Sequence, residues 1–178
     1  MSGEWVFVLT ISDRGAAGEQ DDASGAAVAA RLIALGFKVR RDVVADDRAT
    51  IESVLRSAAT DHSLVVTTGG TGLTPRDVTP QATLAVVDYE VPGVAEAMRA
   101  EGRRHTPMAD LSRGVVGVLG RSLIVNLPGS PKGAMESLEA VIPVLDHALE
   151  TLAGPFDHGS AAQEVADPRV VAFPDEHE

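Results

Sequence analysis

The chain has 178 residues, 44% hydrophobic and 23% charged, an ordinary globular mixture that fits one domain of usual size. It holds no cysteine, which excludes disulfide frameworks, thiolate metal centres and cysteine nucleophiles. Fifteen Lys and Arg against 26 Asp and Glu leave a formal charge of −11, the wrong sign for a general nucleic-acid binder.

The start, Met1-Ser2-Gly3-Glu4-Trp5, has an acid where an export signal needs bases, and no apolar run is long enough to span a bilayer. The expectation is a cytoplasmic protein with no membrane partner. The β-branched run 6–11 predicts a strand buried on both faces, ending in Ser12-Asp13-Arg14-Gly15. A small, polar stretch leads to an Ala- and Leu-rich helix over 24–35, stopped by Gly36. A second strand is expected at 38–44, a helix at 50–59, and a third strand at 64–68 that runs straight into Gly69-Gly70-Thr71-Gly72. Thr79-Pro80 reads as an N-cap with proline behind it, opening a short helix to residue 86. A helix at 94–104 follows, then strands at 115–119 and 122–127, as a hairpin or as neighbours. The last helix, 132–152, carries one apolar stripe (Met135, Leu138, Ile142, Leu145, Leu149, Leu152), and Pro143 should bend or split it. Residues 1–154 read as one domain. Residues 155–178 read as an acidic tail, with a short strand conceivable at 170–173.

Strands alternating with helices predict an α/β domain with a largely parallel sheet. Ligands of such sheets bind outside the carboxyl ends of the strands. Segments 12–15, 45–47, 69–77 and 126–132 should therefore converge on one rim.

The run Thr67-Thr68-Gly69-Gly70-Thr71-Gly72-Leu73-Thr74-Pro75-Arg76-Asp77-Val78-Thr79-Pro80 carries the most chemistry. Three glycines in four residues let backbone N–H groups close on an anion, and a phosphate is the natural guest. Asp77 suits a magnesium ion that holds phosphate oxygens. The plainer reading is a tight turn with a capping aspartate. The loop is neither a Walker A motif nor a dinucleotide fingerprint, since it lacks the lysine of the first and has Pro75 at the third glycine of the second.

Asn126-Leu127-Pro128-Gly129-Ser130-Pro131-Lys132 forms a second loop of the same kind, offering an amide, N–H groups, a hydroxyl and a cation. Of Asp46 and Asp47, one supports the next helix or one joins Asp77 around magnesium; spacing leaves this open. Ser24 is either a plain N-cap or a phosphate contact. Arg14, Arg48, Arg76 and Lys132 should make the rim more basic than the surface. The five histidines show no ligand spacing, and no serine-hydrolase elbow exists.

With these motifs in view, the chain resembles the molybdopterin adenylyltransferase (MogA/MoaB) family of molybdenum cofactor biosynthesis, over roughly residues 4–154. The resemblance implies a three-layer α/β sandwich and a homo-oligomer, a homotrimer or, as in some MoaB-type members, a hexamer. It implies a magnesium-dependent nucleotidyltransferase acting on ATP and molybdopterin, with hand-over to a molybdate-insertion protein. By motif position Asp46 and Asp77 take the metal and catalytic roles, and Gly69, Gly70, Thr71 and Gly72 the nucleotide loop. Asn126, Pro128, Gly129, Ser130 and Lys132 form the second ligand loop, and Ser12, Asp13, Ser24 and Gly25 the N-terminal contacts. The alternative is a non-catalytic molybdopterin or cofactor carrier of the MoaB type.

Overall fold

A computed structural model describes residues 4–154. In chain order it contains β1 (Trp5–Ile11), α1 (Asp13–Ala16), α2 (Ala23–Ala34), β2 (Lys38–Val44), α3 (Arg48–Asp61), β3 (Leu64–Thr68) and α4 (Thr79–Leu84). There follow β4 (Tyr89–Glu90), α5 (Pro92–Arg103), a 3-10 turn (Pro107–Leu111), β5 (Val116–Leu119), β6 (Ser122–Leu127) and α6 (Pro131–Ala153). The acidic segment 155–178, with the strand expected at 170–173, lies outside the described residues.

The sheet order is β2-β1-β3-β6-β5-β4. The first four strands are parallel, and β5 and β4 continue the sheet antiparallel, so the hairpin expectation at 115–127 is met. Side chains alternate between faces. Val6, Val8, Leu64, Val66, Leu123 and Val125 meet Val28, Leu32, Met98, Leu138 and Leu145 of α2, α5 and α6. Leu9, Ile11, Val65 and Ile124 meet Ile51, Leu55 and Ala82 of α3 and α4 on the other face. Helices therefore cover both faces, giving the expected three-layer α/β architecture with a mostly parallel sheet. No helix among the described residues is long and apolar enough to cross a membrane.

Register sets the rim. Ile11 lies beside Val44, Thr10 beside Thr68, and Thr68 beside Leu127, so the loops leaving β1, β2, β3 and β6 emerge side by side.

Two expectations need correction. Helix α6 is not split: it runs from Pro131 to Ala153 with Pro143 inside it. The proline removes one helical hydrogen bond at a cost of about 3 kcal/mol. Leu138, Val141, Leu145 and Leu149 flank it along one buried stripe, and each contributes roughly 1.5–3 kcal/mol. Packing wins. Thr79 is not an N-cap: α4 begins at Thr79 itself, with Val78 as its uncapped first flank. Its hydroxyl donates elsewhere, to the Gly69 carbonyl at 2.9 Å.

Candidate active site

The chain leaves β3 with two residues at positive φ, Gly69 (97°) and Gly70 (63°). A Cβ at Gly69 would strike the Ile11 carbonyl oxygen, and one at Gly70 the Thr79 hydroxyl. Glycine is required at both positions, for conformation and for space. All four carbonyls of the Gly69-to-Gly72 loop are tied down. Gly69 O accepts from Thr79 Oγ1 and Gly70 O from the Thr79 N–H at 3.1 Å. Thr71 O accepts from the Arg113 N–H at 3.0 Å, and Gly72 O from Arg113 Nε at 2.7 Å. In a trans peptide the next N–H points opposite the carbonyl. The N–H groups of Gly70, Thr71 and Gly72 are thus turned away from Thr79 and Arg113.

The Gly72 N–H finds Asp77, whose carboxylate also accepts from the Thr74 N–H (2.8 Å) and hydroxyl (2.6 Å). Partial burial pushes the Asp77 carboxyl up, but the Thr74 and Gly72 bonds and the Arg113 charge outweigh it and hold it below the ordinary range. Asp77 is ionised at neutral pH.

The question left between Asp46 and Asp47 has a geometric answer. Asp47 caps α3, accepting from the Thr50 N–H at 2.8 Å and hydroxyl at 2.6 Å. Asp46 faces the rim. Its carboxylate accepts from the Asp13 N–H, while its own N–H donates to the Asp13 carboxylate, both at 3.0 Å. Burial, with the nearby Asp13 and Asp77 charges, raises the Asp46 carboxyl against the pull of the Asp13 N–H and Arg76. Arg76 lies on Asp13 through Nε (3.0 Å) and Nη2 (2.6 Å to Oδ1), which holds Asp13 low.

Two cavities meet here, sharing Gly70, Asp77 and Gly129. The larger, about 390 Å³, lies between the glycine loop, α5, the 3-10 turn and the start of α6, and Met98, Met108 and Leu111 make it largely apolar. The smaller, about 270 Å³, sits over the ends of β1 and β3 and is lined by Ser12, Asp22, Ser24, Asp46 and Thr68 among others. One cavity suits a flat or apolar group, the other a polar one, with Asp77 on the seam.

Of the expected site residues, Thr71, Gly72, Pro128 and Ser130 line the larger cavity and Ser12, Ser24 and Asp46 the smaller. Ser24 is inside α2 rather than capping it, and its hydroxyl bonds Thr68 Oγ1 at 3.1 Å. Four expected contacts are placed differently. Asn126 is fully buried below the rim, donating to Thr67 and Thr83 hydroxyls at 3.0 Å and accepting from the Val115 N–H. Gly25 spends its N–H on the Asp22 cap, Lys132 points to Glu136 at 3.7 Å, and Asp13 is taken by Arg76 and Asp46. None of these four lines either cavity.

None of the four bases expected to make the rim basic, Arg14, Arg48, Arg76 and Lys132, lines either cavity, while Arg99 lines the larger. Arg76 is paired with Asp13, Arg48 with Glu52 and Lys132 with Glu136. The smaller cavity is lined by Asp21, Asp22, Asp46 and Asp77 and by no Lys or Arg. Arg113, which shapes the loop, gave no signal in sequence, and Thr79 was read there as a helix cap rather than as the anchor of the Gly69 and Gly70 carbonyls. The larger cavity's wall at α5 and the 3-10 turn gave no signal either.

Asp22 provides a pH test of this acidic wall. It caps α2 through the Gly25 N–H (2.8 Å) and meets Arg41 Nη2 at 2.6 Å. Burial alone would raise its carboxyl, but Arg41, the Gly25 N–H and the Thr10 hydroxyl bring it below the ordinary value. A depressed folded value means stability that is present above the unfolded value and lost as pH falls through the folded one. The unfolding free-energy gap between wild type and D22N, read by urea titration, should be level above about pH 5 and shrink below about pH 4. A gap unchanged into strong acid would contradict the assignment.

Residues 7–147 match the protein family described as the probable molybdopterin binding domain. This chain belongs to that family. Every segment of the site, from Ser12 to Lys132, falls within the matched molybdopterin-binding domain. A molybdopterin adenylyltransferase of Helicobacter pylori (strain J99) is 40% identical over 156 residues, covering 85% of this chain and 89% of that protein. The molybdopterin adenylyltransferase of Escherichia coli (strain K12) is 42% identical over 141 residues, covering 76% and 72%. Among solved structures, the molybdopterin biosynthesis enzyme MoaB of Thermus thermophilus is 53% identical, with TM-score 0.78 over 85% of this chain and 97% of that one.

Proposed function

We propose that this chain is a molybdopterin adenylyltransferase of molybdenum cofactor biosynthesis, transferring AMP from ATP to the terminal phosphate of molybdopterin. An oxygen of that phosphate monoester attacks the α-phosphorus of ATP, and the bond to the β-phosphate oxygen breaks, releasing pyrophosphate. The observation that carries this is the pinned Gly69-to-Gly72 loop beside Asp77, on the seam of two cavities with Asp46 across from it. The names of the 40–42% identical relatives support the same reading.

The attacking phosphate is already ionised near neutral pH, so no strong base is needed. What the reaction needs is charge neutralisation and alignment. The N–H groups of Gly70 and Thr71 supply donors for polyphosphate oxygens, those of Gly69 and Gly72 being taken by Leu127 O and Asp77. The acidic cavity repels a bare triphosphate, and this favours a cation carried with the nucleotide. Asp46 and Asp77 fit magnesium, which is commonly held by one or two carboxylates, several waters and substrate phosphates. Among the described residues no trio of His, Asp and Glu makes a ready cage, consistent with an ion completed by the substrate. When bound, magnesium would offset charge on the attacked and leaving phosphates.

The decisive experiment incubates the protein with ATP, magnesium and molybdopterin and reads products by mass spectrometry. Adenylylated molybdopterin and pyrophosphate in equal amounts are expected. The second reading is a non-catalytic molybdopterin carrier using the same pair of cavities. Tight molybdopterin binding with no ATP consumed would establish the carrier instead. On the family resemblance we also place the chain as a cytoplasmic homotrimer that passes its product to a molybdate-insertion protein. The domain is taken as residues 1–154, followed by the acidic tail 155–178.

A further inference from the structure

The site depends on a residue that touches neither cavity. Arg113 lies half-buried in the segment before β5, 41 residues from Gly72 and 36 from Asp77. Its Nε donates to Gly72 O at 2.7 Å and its Nη2 to Asp77 O at 2.5 Å, while its own N–H donates to Thr71 O. One planar fork therefore grips both ends of the 72–77 loop, and the adjoining backbone grips a third carbonyl.

The base of this clamp is rigid. Gly114 is pressed on β6 so closely that a Cβ there would lie 2.7 Å from Asn126 O. Arg99 Nη1 donates to Gly114 O at 3.2 Å, and the Val115 N–H and carbonyl both bond to Asn126. Arg113 thus refers the glycine loop to the sheet.

We propose that Arg113 is a positioning residue. By holding the Gly72 and Asp77 carbonyls, its guanidinium fixes the angle at which the loop presents its N–H groups and the Asp77 carboxylate to a polyphosphate. For turnover this rests on the adenylyltransferase reading; for loop order and anion binding it does not. Lysine would keep the charge and the stem but cannot donate along two fixed directions from one plane.

The test uses R113K and R113A with three measurements. Hydrogen exchange across residues 70–77 should be about tenfold faster in R113K, through local opening of the loop. Binding of inorganic pyrophosphate with magnesium, by calorimetry, should weaken about tenfold, the scale of one lost charge-assisted bond. The kcat for adenylyl transfer should fall about 100-fold, as for a misaligned site, with KM for molybdopterin within about threefold.

Millimolar guanidinium should restore part of the R113A rate and pyrophosphate affinity, which a general loss of packing would not allow. Should R113A fail to fold, R113K alone decides. The proposal is overturned if R113K keeps wild-type pyrophosphate affinity, exchange and kcat, or if R113A loses them without any response to guanidinium. A wild-type protein that binds pyrophosphate yet forms no adenylylated product would sink the adenylyltransferase reading. The pyrophosphate and exchange comparisons would still judge Arg113.

Discussion

Asp77→Asn should lower kcat for adenylyl transfer about 10²–10³-fold, the range seen when one preorganised electrostatic contact to a developing charge is removed. The reasoning starts from the loop. Both Thr74 donors reach one oxygen, Asp77 Oδ2, so the single oxygen of an asparagine can keep them and with them most of the 72–77 turn, the Gly72 N–H being the one further donor the carboxylate holds. What disappears is the negative charge, which Thr74, Gly72 and Arg113 hold in the ionised form against partial burial. The change therefore separates charge from geometry. Thermal melting should move by no more than a few degrees, and pyrophosphate release should nearly stop. Turnover of D77N within fivefold of wild type would remove Asp77 from any metal or catalytic role.

How much of this was readable in advance follows from how each feature is encoded. The strands Lys38–Val44 and Leu64–Thr68 match expectation to the residue. The second is a β-branched run buried along its whole length, and such runs carry their own boundaries. Convergence of the rim loops was legible too, because parallel strands force successive C-terminal ends to one side. Strand β4 was not readable: Tyr89 and Glu90 are both exposed and too few to show a period. The roles of Asp46 and Asp47 could not be told apart, since neighbours in sequence differ only in where the backbone turns them. Arg113 was invisible for another reason. A guanidinium gripping carbonyls some 40 residues away uses backbone atoms that every residue has, so no side-chain pattern marks its partners.

Asn126 shows the opposite failure, a residue whose pattern suggested ligand contact and whose burial denies it. It sits on β6 opposite Thr67, one residue below the loop that reaches the cavity. Its Nδ2 donates to Thr67 and Thr83 hydroxyls, tying β6 to β3 and α4, and its Oδ1 accepts from the Val115 N–H at 3.3 Å. Asn126→Leu keeps the volume but strands the partly buried Val115 N–H and the hydroxyls of two fully buried threonines. Each unsatisfied group costs about 1–3 kcal/mol, and the hydroxyls can re-aim, so a total of about 2–4 kcal/mol is expected. At roughly 2–4 °C per kcal/mol for a domain of this size, melting should fall by about 5–15 °C. Below the new transition, KM for both substrates should stay within about threefold, because the loop carrying Gly129 and Ser130 is also held by the Ser130 cap of α6 at Gly133 (3.2 Å). A variant that melts normally but raises KM tenfold would mean that the amide reaches substrate after all, and that β6 ends one residue closer to the cavity than its register places it.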